Sequence, residues 1–181
     1  MSNIEYRRQR VPFIKPIHGG LPVGSKVELE CAAIGENQRS FLLEYTSANN
    51  LAVQIEVNLN GEGVDLRSSV AGKPPREEWL PTLIPADKVI SLNVLTKQNF
   101  FEITLNGKHL RDFDHQCQLS DINRLSIRGD VGLQCVRFAG FEQNLEPPRP
   151  GCENFYIYSN NGLPLSTRTR SKRHDILVDR L

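Results

Sequence analysis

Residues 53–69 read VQIEVNLNGEGVDLRSS, and this stretch shows most clearly the pattern from which the fold class follows. Its first half alternates along a strand, with one apolar side and one polar side. The apolar positions are Val53, Ile55, Val57 and Leu59, and the polar positions are Gln54, Glu56, Asn58 and Asn60. The turn residues of 60–63 then lead into a second alternating run, 64–69. The stretch therefore predicts an antiparallel hairpin with one buried and one polar face.

The same period of two continues on both sides of this hairpin. The segments are short and are bounded by glycine, proline, asparagine or aspartate, which is typical of antiparallel strands. They are residues 26–34, 41–45, 89–96, 100–105, 108–113, 124–128 and 131–138. We find no convincing helical pattern. Many short strands with turns every ~8–12 residues predict an all-β sandwich or barrel.

The 181 residues have room for one ordinary domain with tails. We interpret residues 1–10 as an N-terminal tail, 11–141 as the domain, and 142–181 as a mostly irregular extension. Within the extension, the apolar residues 155–158 either add an edge strand or dock on the sandwich. The basic run 168–173 is either a localisation or polyanion signal or a solvated tail, and the second explanation is the commoner one.

Composition gives no sign of nucleic acid or a membrane as partner, because 22 basic residues nearly balance 21 acidic ones. The N-terminus lacks the apolar core of a signal peptide, and no apolar run is long enough to span a bilayer. The four cysteines are Cys31, Cys117, Cys135 and Cys152, without zinc-type spacing. A reduced, cytoplasmic setting fits best. We expect Cys31 and Cys135 to be buried free thiols.

One polar surface carries the best functional candidates. Glu56, Asn58, Asn60 and Arg67 offer carboxylate, amide and guanidinium groups on a rigid sheet, and such groups bind sugar hydroxyls. Trp79, the only tryptophan, is a candidate platform for the apolar face of a sugar ring. The alternatives are that the polar residues form an ordinary solvated sheet face and that Trp79 belongs to the core.

Several stretches, taken in order, resemble the galectin family. They are VPFIKPIHGGLPVG at 11–24, FLLEY at 41–45, FFEITLNGKHL at 100–110, FDH at 113–115 and LSIRGDV at 125–131. The resemblance implies a jelly-roll-like sandwich of a five-stranded and a six-stranded sheet. It also implies a lectin that binds β-galactosides or glycoproteins on its concave sheet, without metal or cofactor. A cytoplasmic pool, export without a signal peptide, and dimerisation through sheet edges are further properties of that family.

Only part of the galectin sugar-binding motif is present. Where the family has His-x-Asn-x-Arg, this chain has Glu56, Asn58 and Asn60, so only the central asparagine matches. Arg67 stands where the next strand of a galectin carries asparagine. In the Trp-Gly-x-Glu-x-Arg segment, Glu77 matches. Pro74 takes the stacking position and Trp79 the arginine position.

These departures leave two hypotheses. The first is a lectin with a rewired, non-standard site in which Arg67 supplies a guanidinium and Glu56 holds it or accepts sugar hydroxyls. The second is a galectin fold that has lost sugar binding and acts through protein contacts. Catalysis is disfavoured, because no Glu-x-Asp-x-x-Glu run places two carboxylates on one strand face. The four histidines are scattered, which disfavours a metal site.

Overall fold

The computed structural model describes residues 3–34, 39–84, 89–141, 144–145, 155–158 and 164–166, the last two ranges by their backbone alone. Within these ranges the regular structure is fourteen strands and one turn of 3-10 helix, Leu119–Asp121. The strands are β1 Asn3–Gln9, β2 Phe13–Pro16, β3 Lys26–Ala33, β4 Ser40–Thr46, β5 Leu51–Asn58, β6 Gly63–Ser69, β7 Arg76–Leu80, β8 Ile90–Thr96, β9 Phe100–Leu105, β10 Lys108–Asp114, β11 Arg124–Gly129, β12 Val131–Ala139, β13 Phe155–Tyr158 and β14 Pro164–Ser166. None of the described segments forms a helix long and apolar enough to cross a membrane.

The strands form two antiparallel sheets packed face to face, so the predicted all-β sandwich is confirmed. The six-stranded sheet has the order β2-β11-β4-β5-β6-β7, and the eight-stranded sheet has the order β10-β9-β8-β3-β12-β1-β13-β14. Strands β2 to β12 alone give sheets of six and five, the numbers that the galectin resemblance implies. The three additional strands, β1, β13 and β14, come from residues 1–10 and 142–181.

Strand β1 is an inner strand of the eight-stranded sheet. It pairs with β12 on one side, from Asn3 opposite Ala139, and with β13 on the other, from Asn3 opposite Tyr158. Ile4 and Tyr6 of β1 are buried. Of the two alternatives for residues 155–158, the structure shows an added strand. The basic run 168–173 and Cys152 lie outside the described residues.

The core lies between the two sheets and is built from the apolar halves of the alternating strands. Val53, Ile55 and Val57 of β5 are fully buried, as their alternation predicts. Tyr45 of β4 stacks on Phe101 of β9 with a centroid distance of 5.5 Å, which joins the two sheets. Each such side chain contributes about 1.5–3 kcal/mol through removal from water.

Two cysteines belong to this framework. Cys31 and Cys135 are buried free thiols, as predicted. Burial raises the pKa of Cys31 to about 12 and that of Cys135 to about 11. Both thiols therefore stay protonated near neutral pH, and a thiol in that state is a poor nucleophile.

Strand β7, at the edge of the six-stranded sheet, is fixed to the other sheet by Glu78. Its carboxylate pairs with Arg76 of the same strand, and Oε2 lies 2.7 Å from Nε of Arg111 on β10. Burial would raise the pKa of Glu78, but hydrogen bonds from Arg76 and Arg111 outweigh it and lower the pKa. Arg76 also lies 4.5 Å above the ring of Phe113. These contacts hold β7 in place and leave Glu77 and Trp79 on its other side.

Candidate functional site

The side of β5, β6 and β7 that faces away from the core carries five of the six predicted site residues. We call this surface the polar face and define it by Gln54, Glu56, Asn58, Asp65, Arg67, Glu77 and Trp79. Residues directly opposite each other on antiparallel strands share a face, with Cβ atoms about 4.5–5.5 Å apart. The registers therefore arrange most of these side chains in two rows across the three strands.

The first row contains two acids and the tryptophan. Glu56 lies opposite Asp65, and Asp65 lies opposite Trp79. Glu56 Oε1 accepts a hydrogen bond from Ser40 Oγ at 2.7 Å. Asn58 Nδ2 donates to Asp65 Oδ2 at 3.2 Å. The row thus presents two carboxylates held by neutral donors, beside an aromatic ring.

The second row contains the guanidinium. Arg67 lies opposite Gln54 on one side and Glu77 on the other. Arg67 Nε is 3.9 Å from Glu77 Oε1, at the outer limit of an ion pair, and the side chains are 43% and 73% exposed. A long, exposed ion pair of this kind contributes little to stability. Arg67 and Glu77 are therefore accessible to a ligand.

Trp79 lies on the polar face and not in the core. The residue is 48% exposed. A Cβ atom built on Gly63, at the start of β6, would lie 2.9 Å from ring atoms Cζ2 and Cη2 of Trp79. The ring therefore lies directly over a glycine that has no side chain to displace it. The sequence alternative of a core tryptophan is wrong, and Trp79 presents an accessible ring beside Asp65.

Asn60 is placed differently from the other predicted site residues. Strand β5 ends at Asn58, and Asn60 is an exposed residue of the turn that leads to β6. Its side-chain Oδ1 accepts a hydrogen bond from the backbone N–H of Glu62 at 3.4 Å. The alternation across 53–60 continues two residues beyond the strand, so the polar face brings together Glu56, Asn58, Arg67, Glu77 and Trp79 without Asn60.

The outward face of the sheet continues beyond the polar face toward β2. Glu44 of β4 lies opposite Gln54, and its Oε2 accepts hydrogen bonds from Ser126 Oγ at 2.8 Å and from Arg128. At the far edge lies an open pocket of about 250 Å³. It is lined by Ile14, Pro16, Ser47, Ala48, Asn123 and Arg124. The sheet therefore offers a continuous surface longer than the three strands that carry the predicted site.

Two residues of the polar face, Gln54 and Asp65, were not among the predicted site residues. Alternation places both on polar positions, but only the register shows that Asp65 lies between Glu56 and Trp79. Chemically, the face combines donors, acceptors and an aromatic surface, the set that sugar recognition needs. Among the described residues, no group of three or more His, Cys, Asp or Glu side chains could hold a metal ion.

Comparison with known proteins agrees with this architecture. Residues 12–138 match the family described as galactoside-binding lectin. The match covers well over half of the chain, and this chain belongs to the galectin family of galactoside-binding lectins. Members of this family are carbohydrate-binding proteins.

Individual relatives are distant in sequence. The chain is 26% identical to "Probable galaptin lec-7" of Caenorhabditis elegans over 143 residues, 76% of this chain and 77% of that protein. It is 25% identical to galectin-4 of Sus scrofa over 137 residues, 72% of this chain and 42% of that protein. Beyond the first relative, the chain spans about half or less of the length of the relatives it matches.

Solved structures support the same fold. The C. elegans galectin LEC-6 superposes with a TM-score of 0.66 at 16% identity, over 75% of this chain and 95% of that one. A single-substitution variant of human galectin-16 superposes with a TM-score of 0.64 at 26% identity, over 74% of this chain and 98% of that one.

Proposed function

We propose that this protein is a lectin that binds β-galactoside-type glycans on the polar face, through a site that departs from the usual galectin set. The observation that carries the proposal is the half-exposed Trp79, which ends one of the two rows of side chains and lies next to the other row on the sheet. A pyranose has hydroxyls that donate and accept and an apolar C–H face. This surface offers partners for each of those features.

Each polar group has a role consistent with its contacts. Arg67, with its long ion pair to Glu77, can donate to sugar hydroxyls. Glu56 and Glu77 accept hydrogen bonds from hydroxyls, and Asn58 offers an amide whose present partner is Asp65. Trp79 supplies the surface on which a ring can lie. In this proposal Arg67 and Trp79 replace the donors and the stacking ring of the family motif.

The replacements are expected to weaken binding of lactose. Glu56 stands where the motif has a histidine, and Asn60, which stands where it has an arginine, lies in a turn. A polar contact in a desolvated site contributes about 1–3 kcal/mol, so loss of two reduces affinity by about two orders of magnitude. We therefore expect this chain to bind lactose about two orders of magnitude more weakly than a complete galectin motif would, and to bind a different galactoside more tightly than lactose.

A glycan-array screen of the full chain tests the proposal, followed by titration calorimetry with lactose and the strongest array ligand. Asn58→Ala is expected to weaken binding at least tenfold. Asn93→Ala is the matched control, because it makes the same change on β8 of the opposite sheet. Binding that Asn58→Ala leaves intact would place the sugar elsewhere. The absence of any array ligand, with no heat at millimolar lactose, would favour a galectin fold used for protein contacts.

A further inference from the structure

The polar face carries an excess of negative charge. On β5, β6 and β7 it has three carboxylates, those of Glu56, Asp65 and Glu77, and one guanidinium, that of Arg67. Arg67 is directed to Glu77, with 3.9 Å between Nε and Oε1. The neighbouring Glu44 has its own cation in Arg128. The net charge at the centre of the face is therefore −2.

Glu56 and Asp65 account for this excess. Within the part of the chain that the structure describes, neither carboxylate forms an ion pair. Glu56 accepts from Ser40 at 2.7 Å and from Gln54 Nε2 at 3.4 Å, and both donors are neutral. Asp65 accepts from the neutral amide of Asn58 at 3.2 Å. The two side chains lie directly opposite each other, so their charges add in the same place.

An independent feature lies at the end of the same row. Trp79 is opposite Asp65, half exposed, and seated on Gly63. The face of an indole ring attracts cations through its quadrupole. A cationic group bound above Asp65 would thus meet two carboxylates on one side and an aromatic face on the other. A sulfate or carboxylate in that position would be repelled by the two carboxylates and by the face of the indole ring.

We infer that the polar face selects galactosides by charge. It binds most tightly a galactoside whose neighbouring hexosamine carries a protonated amine. The neutral N-acetyl form of that galactoside binds less tightly, and a sulfated form binds least tightly. Glu56 and Asp65 are the residues that determine this order, and Trp79 supports it. The inference rests on the proposed function, because it concerns which galactosides the same face accepts.

The expected differences in affinity follow from the free energy that an exposed ion pair contributes. A solvent-accessible charge contact contributes about 0.2–1 kcal/mol, which corresponds to a change in affinity of up to about fivefold for each step. We therefore expect about a threefold to fivefold increase from the N-acetyl form to the amine. A similar decrease is expected from the N-acetyl form to the sulfated form. Both ratios should shrink as salt is raised, because ions screen exposed charges.

Titration calorimetry of the full chain with three disaccharides tests this order. The ligands are galactosyl-glucosamine with a free amine, its N-acetyl form, and the N-acetyl form sulfated on the same glucosamine ring. The pH is held at about 6, below the usual pKa range of such amines. The double variant Glu56→Gln/Asp65→Asn keeps the side-chain shapes and should bring the three affinities within about twofold of each other.

The matched control is Glu102→Gln/Asp112→Asn. These acids also lie directly opposite each other, on β9 and β10 of the other sheet, so the control removes the same charge away from the polar face. It should keep the order of affinities. If all three ligands bind the original chain equally, or the sulfated one binds best, the charge inference is wrong while the lectin function stands. If none of the three binds, the proposed function itself fails.

Discussion

Replacement of Gly63 by alanine should destabilise the protein and displace Trp79. Gly63 has φ +147°, a conformation that side chains rarely adopt. An added Cβ would lie 2.5 Å from the carbonyl oxygen of Leu80 and 2.9 Å from the ring of Trp79. The ring can rotate away, but the carbonyl belongs to β7, where Leu80 lies opposite Val64. Relief of the contact therefore has to shift the edge strand.

Two contributions determine how much stability Gly63→Ala loses. Backbone strain of this kind costs about 1–3 kcal/mol, and overpacking a filled position costs about 1–3 kcal/mol. We expect Gly63→Ala to lower the free energy of unfolding by about 2–6 kcal/mol. Gly72→Ala is the control, because Gly72 has φ +78° with nothing within 4 Å of an added Cβ. It bears backbone strain alone, about 1–2 kcal/mol.

Urea unfolding followed by tryptophan fluorescence and circular dichroism measures both effects. Trp79 is the only tryptophan, so its emission reports the polar face directly. The folded Gly63→Ala protein should show red-shifted emission, because the displaced ring gains water contact, whereas Gly72→Ala should leave the emission unchanged. Equal losses of stability in the two variants, with equal emission spectra, would refute the packing of Trp79 on Gly63.

Three further predictions concern the buried Tyr45, the ion pairs of Glu5 and the edge of β1. Tyr45→Phe should leave stability unchanged or raise it by about 1 kcal/mol in urea unfolding, because the buried hydroxyl has no hydrogen-bond partner among the described residues. Burial would raise the pKa of Glu5, but hydrogen bonds from Arg7 and Arg137 outweigh it and lower the pKa below its ordinary value of 4.5. Its stabilisation is therefore complete above about pH 4.5 and is lost as pH falls, and thermal melts of Glu5→Gln should show a shallower loss in acid. A chain that ends at Leu145 loses β13 and exposes the edge of β1, so sedimentation velocity should show more concentration-dependent self-association than the full chain shows.

Local pattern was sufficient for nine strands of the sandwich, β3 to β6 and β8 to β12, but not for β1, β2 or β7. Alternation identified Val53, Ile55 and Val57 as core positions because a strand with one buried face has no other way to separate apolar from polar side chains. The same pattern placed Asn60 on the strand, although β5 ends at Asn58. Period two cannot show where pairing stops, since a turn residue continues the alternation in the sequence without continuing it in space.

The register of neighbouring strands, and the contacts that depend on it, could not be predicted from local pattern. That Asp65 lies between Glu56 and Trp79 depends on the register of β5, β6 and β7, and a slip of one residue would reverse the faces. The orientation of Trp79 depends on Gly63, sixteen positions earlier in the chain. The strand at residues 3–9 was also not predicted, because its polar sequence hides the buried Ile4 and Tyr6. In each case the deciding partner is distant in sequence.

The position of β1 determines how late the protein can finish folding during synthesis. Residues 3–9 are synthesised before the other described strands, yet their backbone partners are residues 133–139 and 155–158. Until those residues emerge, the backbone groups of the first strand lack their native hydrogen bonds, and its apolar side chains have no sheet to join. The nascent chain therefore carries an unpaired β1 while β2 to β11 are made, and this strand, made before them, is among the last to be enclosed.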